Sequence, residues 1–277
     1  MPYNEIDALL NAVDAVVICL PNIFHAEFAE KTLTAGKHTL VEYPPAMDMK
    51  TAVKLKKLAL DNDCVLMAGN TIIHEATYVY LRKNLHKFGK IVSASSRVAL
   101  YSSDLADSWY MQRDCIGNVF VSFLYHHVEL YKHLIGNVEW LLAQDQSVPA
   151  DKSGCLLSMA GGTLFMGHKN NRNSCIQWYL SSQGNGLPRG LWLNGTKESC
   201  TLVSGENNKT EVFWSSGRSD IIDDDWGVTG SCSDFVQAIN GNMNYKKRVK
   251  EDFETLEICA VANKSAEKKM YIESMGK

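Results

Sequence analysis

The segment that most restricts the fold runs from Val16 to Pro44 and reads VVICLPNIFHAEFAEKTLTAGKHTLVEYP. It opens with a continuous apolar, β-branched run, which is typical of a strand buried on both faces in a parallel sheet. Pro21 and Asn22 close this run, and a helical pattern continues to Gly36, a residue type favoured just beyond helix ends. A second short run follows and stops at two prolines. The segment therefore predicts a parallel strand, helix, strand unit.

The residues after this segment add another helix and strand of the same kind. Asp48 is a predicted N-cap, because it precedes a helical pattern with an apolar stripe and outward lysines. The run from Cys64 to Ala68 (CVLMA) then reads as a third short strand. Strands that alternate with helices build a parallel sheet through crossover connections. Residues 1–70 are therefore predicted to form a partial parallel sheet with helices.

The pattern changes from Ile91 onward. Strand-like runs are now separated by Gly, Asn and Ser, with helices expected at about 119–134, 231–240 and 252–271. Runs of strands with helices set to one side are typical of an α+β domain with an antiparallel sheet. We therefore predict an α/β protein in which a partial parallel sheet is followed, in residues 71–277, by an α+β domain with a large, mainly antiparallel sheet.

Composition excludes several function classes. The formal net charge is −3 and the sequence pI is about 6.2, so no basic excess favours nucleic acid or an anionic membrane as a partner. The eight cysteines form no C-x-x-C pair, so no metal site is predicted and reduced thiols are expected. The first residues lack the positive and apolar regions of a signal peptide. A cytoplasmic protein acting on a small molecule is expected.

The stretch from Pro21 to Pro44 is similar to the Gfo/Idh/MocA oxidoreductases, which carry Pro-Asn, a nearby His, Ala-Gly-Lys-His and a Glu-Lys-Pro turn. The form Glu-Tyr-Pro in this chain resembles the biliverdin reductase branch. The resemblance implies a Rossmann domain that binds NAD or NADP, followed by a substrate domain that often forms oligomers. The residues that it implies for cofactor binding follow the first two strands: Leu20, Pro21, Asn22, His25, Glu42 and Pro44. The alternative is structural, with Pro21 and Asn22 ending a strand and His25 lying in a first helical turn.

The resemblance also implies two catalytic residues. Counted back from Gly136, His126 takes the place of the family's catalytic histidine, although a register one residue later would give that role to His127. Ser122 stands where the family has an aspartate, and Tyr43 stands where it has the lysine of Glu-Lys-Pro. A tyrosine has an ordinary pKa of about 10, so it donates a proton at neutral pH more readily than it accepts one. This favours a reductase, and the alternative for Tyr43 is a packing role beside the prolines.

The phosphate-binding loop of the Rossmann fold is the feature that the sequence lacks. The first glycine is Gly36, so no G-x-G-x-x-G precedes the first strand, and impaired cofactor binding is expected. The GGTLFMG stretch from Gly161 to Gly167 is interpreted as a β-turn. The first strand would then keep an exposed edge. We expect either that the chain associates through this edge with itself or another polypeptide, or that it is a truncated form that folds poorly.

Two functions from different classes follow. The first is an NAD(P)-dependent reductase of a small-molecule or bilin-like substrate, with Tyr43 and His126 as catalytic residues. The second is a non-catalytic binding or oligomerising protein that has lost the cofactor site. The affinity for NADPH distinguishes them, because only the first retains it.

Overall fold

The computed structural model describes residues 5–101, 109, 115, 117–148, 159–181, 190–205, 207–225 and 227–273. These residues fall into two compact units. The first contains residues 1–71, 114–125 and 228–260, and the second contains residues 72–113, 126–227 and 261–277. The prediction of domains at 1–70 and 71–277 stays a prediction.

The N-terminal part of the first unit alternates strands and helices. Its elements are α1 (Ile6–Ala12), β1 (Ala15–Ile18), α2 (Asn22–Thr34), β2 (His38–Val41), α3 (Met49–Asp61) and β3 (Leu66–Ala68). The three strands pair in parallel in the order β1, β2, β3. Asp48 caps α3, as predicted, since its Oδ1 accepts a hydrogen bond from the Thr51 amide at 2.9 Å. Among the described strands, β1 pairs with β2 alone and lies at a sheet edge.

The remaining helices and strands belong mainly to the second unit. A 3₁₀ turn at Ile72–His74 precedes them. The helices are α4 (Ala76–Phe88), α5 (Val119–Ser122), α6 (Tyr125–Ile135), α7 (Val228–Ile239) and α8 (Tyr245–Lys268). The strands are β4 (Ile91–Tyr101), β5 (Val138–Val148), β6 (Met159–His168), β7 (Arg172–Ser181), β8 (Gly190–Gly195), β9 (Ser199–Ser204), β10 (Lys209–Trp214), β11 (Ser219–Asp223) and β12 (Ile272–Glu273). Of these helices, α5, α7 and most of α8 fall in the first unit.

One nine-stranded sheet organises the second unit. Its strand order is β11, β10, β9, β8, β4, β7, β6, β5, β12, and the β4–β7 pair is parallel while the other described pairs are antiparallel. The prediction of a small parallel sheet and a large, mainly antiparallel sheet is confirmed.

The two faces of this sheet differ in exposure. Register partners share a face, because side chains alternate along each strand. One row across the sheet is buried and consists of Ala143, Leu164, Ile176, Ser96, Leu191, Leu202 and Val212. The adjacent row on the opposite face carries exposed Leu142, Phe165, Trp192 and Phe213. The second unit therefore has one buried sheet face and one apolar face that is open in the described chain.

The prediction of a β-turn in GGTLFMG is wrong, because these residues form the interior of β6. The glycines make room for atoms of the neighbouring strands. A Cβ at Gly162 would lie 2.1 Å from the Gln144 backbone oxygen and 2.6 Å from Trp178 Nε1, and a Cβ at Gly167 would lie 1.9 Å from Trp140 Nε1. These distances are too short for real contacts, so glycine is required here by cross-strand packing and not by a turn.

The helix expected at 119–134 is also corrected, because it divides at Phe123 and Leu124. Asn118 caps α5 by accepting a hydrogen bond from the Val121 amide at 3.0 Å. The amides of Phe123 and Leu124 both donate to the Val119 carbonyl, at 2.8 and 3.2 Å, which closes the short helix. Among the described helices, none is long and apolar enough to cross a membrane.

Candidate functional site

The carboxyl ends of β1 and β2 bring the predicted cofactor residues to one edge of the parallel sheet. Ile18 pairs with Val41 in register, and the Glu42 amide donates to the Ile18 carbonyl at 2.9 Å. The segments Leu20 to Asn22 and Glu42 to Pro44 therefore start side by side. This edge is where open α/β sheets bind ligands.

The side chain of His25 connects these two segments through its ring nitrogens. This side chain is 1% exposed, with Nδ1 2.8 Å from the Pro44 carbonyl oxygen and Nε2 2.6 Å from the Leu20 carbonyl oxygen. A neutral imidazole donates through one nitrogen only, whereas an imidazolium donates through both. The ring nitrogens of His25 therefore bind the protein's own backbone and hold the two strand ends together.

Asn22, the first residue of α2, connects this edge with α5. It is 8% exposed, and its Nδ2 donates to Ser122 Oγ at 3.1 Å. Ser122 is itself buried at 6% exposure. Pro21 occupies the N-cap position of α2 and supplies no side-chain cap. The structure thus brings together two residues that the sequence analysis singled out. Asn22 is a predicted cofactor-binding residue, and Ser122 stands where the family has an aspartate.

Tyr43 lies half-buried at the end of β2 and stacks on Tyr125. The ring centroids are 5.7 Å apart and the planes differ by 23°. Tyr125 is fully buried, and its hydroxyl donates to the Asp252 carbonyl of α8 at 2.8 Å. A buried aromatic side chain therefore supports the ring of the predicted proton donor.

Two charged residues of α8 extend this arrangement to the end of β3. Arg248 and Asp252 are 5% and 1% exposed and form an ion pair with 3.4 Å between Nε and Oδ1. A second nitrogen of Arg248 donates to the Asn70 carbonyl at 3.2 Å. Sequence reasoning missed Tyr125, Asn70, Arg248 and Asp252, although opposite charges four residues apart on a helix were a visible signal.

Glu42 stands at the same edge between β2 and β3. Burial raises the pKa of its carboxyl above the ordinary value, and a hydrogen bond from the Tyr43 backbone amide opposes this effect. The backbone at Gly69 approaches the Glu42 side chain closely, since a Cβ at Gly69 would lie 3.2 Å from Glu42 Cδ. Glycine at position 69 therefore leaves room for the Glu42 side chain.

The other predicted catalytic residue, His126, follows Tyr125 in α6 and is half-buried. It belongs to the second compact unit, whereas Tyr43 and Tyr125 belong to the first. Three residues further on, Glu129 is fully buried and its Oε1 lies 3.4 Å from His133 Nε2. Among the described residues, no three His, Cys, Asp or Glu side chains converge as metal ligands.

Residues 1–70 match the model of an oxidoreductase family, Gfo/Idh/MocA, with an NAD-binding Rossmann fold. A scyllo-inositol 2-dehydrogenase (NADP⁺) from Bacillus subtilis is 33% identical over 96 residues, which cover 35% of this chain and 29% of that protein. An uncharacterised oxidoreductase from Synechocystis is 25% identical over 219 residues, covering 74% of this chain and 59% of that protein. The chain thus spans less than two thirds of the length of these curated relatives.

Solved structures share the fold over nearly the whole chain. Biliverdin reductase from Synechocystis, crystallised with biliverdin and NADP⁺, has a TM-score of 0.83 at 18% identity and covers 96% of this chain and 84% of that one. Levoglucosan dehydrogenase in complex with NADH and L-sorbose has a TM-score of 0.79 at 16% identity and covers 98% and 83%. Residues 1–70 thus match the Gfo/Idh/MocA oxidoreductase family, and the chain shares the fold of these solved structures over nearly its whole length.

Proposed function

We propose that the protein is an NAD(P)-dependent reductase of a small-molecule or bilin-like substrate. The observation that carries this proposal is the position of Tyr43 at the carboxyl edge of the parallel sheet, half-buried and stacked on Tyr125. A protonated phenol at the ligand-binding edge suits reduction, which adds a hydride and a proton to the substrate. The biliverdin reductase of the same fold supports a bilin-like substrate, and the dehydrogenases support a small sugar or cyclitol.

The residues present suit the nicotinamide end of the cofactor. Leu20, Pro21 and Asn22 would line it from the end of β1, and Glu42 and Pro44 would line it from the end of β2. His25 would act indirectly, because its ring nitrogens lie against backbone carbonyl oxygens. When bound, the nicotinamide supplies the hydride.

These 277 residues contain no glycine-rich loop ahead of β1 to bind the pyrophosphate of the cofactor, since the first glycine is Gly36. Backbone amides of such a loop supply much of the contact with the phosphates. We therefore expect this chain alone to bind NADPH weakly, with a dissociation constant of about 0.1–1 mM.

Proton transfer would be divided between Tyr43 and His126. The Tyr43 hydroxyl would donate a proton to the substrate, and the family resemblance implies that His126 also takes part in proton transfer. Ser122 would leave the site without the carboxylate of related enzymes, and its hydroxyl is held by Asn22. The phenol of Tyr43 supports reduction, because a tyrosine donates a proton at neutral pH more readily than it accepts one.

We also propose a cytoplasmic homo-oligomer. The seven cysteines of the described chain are free thiols, which supports a reducing compartment. The open apolar row of the nine-stranded sheet and the edge of β1 are candidate contacts.

The test is a calorimetric titration with NADPH and NADH, followed by measurement of NADPH oxidation with biliverdin. Saturable heat and turnover support the reductase. If neither cofactor produces heat at millimolar concentration, the non-catalytic alternative is correct instead. Tyr43→Phe is the matched variant, because it removes the hydroxyl and retains the ring.

A further inference from the structure

We propose that Tyr125 is a positioning residue that fixes the ring of Tyr43, an inference that rests on the proposed reductase function. The two rings are stacked with their centroids 5.7 Å apart. Tyr43 is half-buried, whereas Tyr125 is fully buried. The fully buried ring of Tyr125 thus packs against the half-buried ring of Tyr43. Nearly parallel stacking restricts the rotation of the Tyr43 side chain about its Cα–Cβ and Cβ–Cγ bonds.

The supporting ring is itself anchored. Its hydroxyl donates to the carbonyl of Asp252, which lies within the 24-residue helix α8, at 2.8 Å. A hydrogen bond to a helix backbone defines the ring position more precisely than apolar packing alone, because the backbone has no rotamers of its own. Tyr125 therefore cannot slide along the face of Tyr43 without losing this bond.

The anchor continues to the third strand. Asp252 forms a buried ion pair with Arg248, whose guanidinium donates to the Asn70 carbonyl just beyond β3. The ends of β2 and β3 are thus joined to the same helix, through Tyr43 and Tyr125 on one side and through Arg248 on the other. We call this set of five residues, Tyr43, Tyr125, Asp252, Arg248 and Asn70, the tyrosine support.

The support matters for proton transfer, because a general acid must lie within hydrogen-bond distance of the reacting atom. A misplacement of about 1 Å can reduce a rate about 100-fold. A tyrosine at a strand end has two free side-chain torsions, and the stack on Tyr125 restricts both. The support therefore acts on the rate of the chemical step and not on cofactor affinity.

The test uses two variants of Tyr125 and one control in the same helix. Tyr125→Leu removes the stacked ring, and Tyr125→Phe retains the ring but removes the hydrogen bond to Asp252. Tyr131→Leu is the control, because Tyr131 is also fully buried in α6. The readouts are the NMR resonances of the Tyr43 ring, assigned by their loss in Tyr43→Phe, and the kcat and KM of NADPH oxidation with biliverdin.

We expect Tyr125→Leu to shift the Tyr43 ring resonances and to lower kcat about 10- to 100-fold, with KM for NADPH unchanged within about twofold. Tyr125→Phe should keep the ring-current shift and restore most of kcat, and Tyr131→Leu should leave both readouts close to wild type. Unchanged Tyr43 resonances in Tyr125→Leu, or an equal loss of kcat in Tyr131→Leu, would overturn the proposal. If the wild-type protein oxidises no NADPH, the reductase function fails, while the NMR comparison still decides whether Tyr125 fixes Tyr43.

Discussion

Asn22 donates a hydrogen bond to Ser122 across 100 positions of the sequence, with 3.1 Å between Nδ2 and Oγ. Both residues are buried, so neither side chain exchanges this bond for one with bulk water. The bond fixes the first turn of α2 against α5 within the same compact unit. The first residue of α2 is therefore bonded to the short helix that precedes His126 in the sequence.

Replacement of Asn22 by Ala should destabilise the fold by about 1–3 kcal/mol, because Ser122 Oγ then loses a buried partner. Ser122→Ala should cost a similar amount, and the double variant should cost less than the sum of the two. Urea unfolding of the four proteins measures this coupling energy. Additive effects would show that the two side chains do not interact.

Replacement of His25 by Leu should lower the free energy of unfolding by about 2 kcal/mol, because the buried ring loses its hydrogen bonding to the Pro44 and Leu20 carbonyl oxygens. His25→Gln should recover part of this loss, since its amide nitrogen can donate to one carbonyl. Thermal unfolding compares the two variants. If His25→Gln and His25→Leu unfold at the same temperature, hydrogen bonding by the ring is not what stabilises the strand ends.

Stability should fall with rising pH because of Glu75, which precedes α4. Burial raises the pKa of Glu75 to about 7, and the neighbouring Asp224 adds repulsion. The folded state thus binds this proton more tightly than the unfolded state does. The stabilisation is complete below about pH 4.5 and is lost as the pH rises through about 7.

Urea unfolding between about pH 5 and pH 8 measures this effect. Glu75→Gln should flatten the decline, whereas Glu211→Gln, an exposed change on β10, should leave it as in the wild type. Glu75 is not the group responsible if the wild-type urea midpoint rises across this pH range. The same conclusion follows if the midpoint of Glu75→Gln declines with pH as steeply as that of the wild type.

The open row of the nine-stranded sheet should mediate self-association. Phe165 and Trp192 are 47% and 37% exposed on this face, and a lysine at either position would place a charge in an apolar contact. Sedimentation velocity should show Phe165→Lys shifted toward monomer. Val53→Lys on α3 is the control, because Val53 is 56% exposed in the other unit. An unchanged sedimentation coefficient for Phe165→Lys would place the contact elsewhere.

Local sequence patterns were sufficient for the alternating part of the fold. The apolar runs and the Asp48 cap predicted β1, β2, β3 and α3, because these elements depend on periodicity and capping that each segment contains. These predictions succeeded where a segment carries its own signal.

The errors arose where distant residues decide the structure. Gly162 and Gly167 resembled turn residues, yet both lie within β6, where the backbone of Gln144 and the side chains of Trp178 and Trp140 leave no room for a Cβ. The tyrosine support joins Tyr43 and Tyr125 to α8 through contacts that no local pattern reveals. The sequence therefore predicted Tyr43 as a candidate residue but did not predict that Tyr125 stacks on it.

The most direct test of the proposed function is the rate of NADPH oxidation with biliverdin, measured for the wild-type protein and for Tyr43→Phe at saturating and subsaturating NADPH. We expect the wild-type rate to saturate with NADPH and Tyr43→Phe to lose about 10²- to 10⁴-fold in kcat, because a general acid is removed, with NADPH affinity unchanged. Equal rates for the two proteins, or no NADPH oxidation by the wild type, would contradict the proposed function.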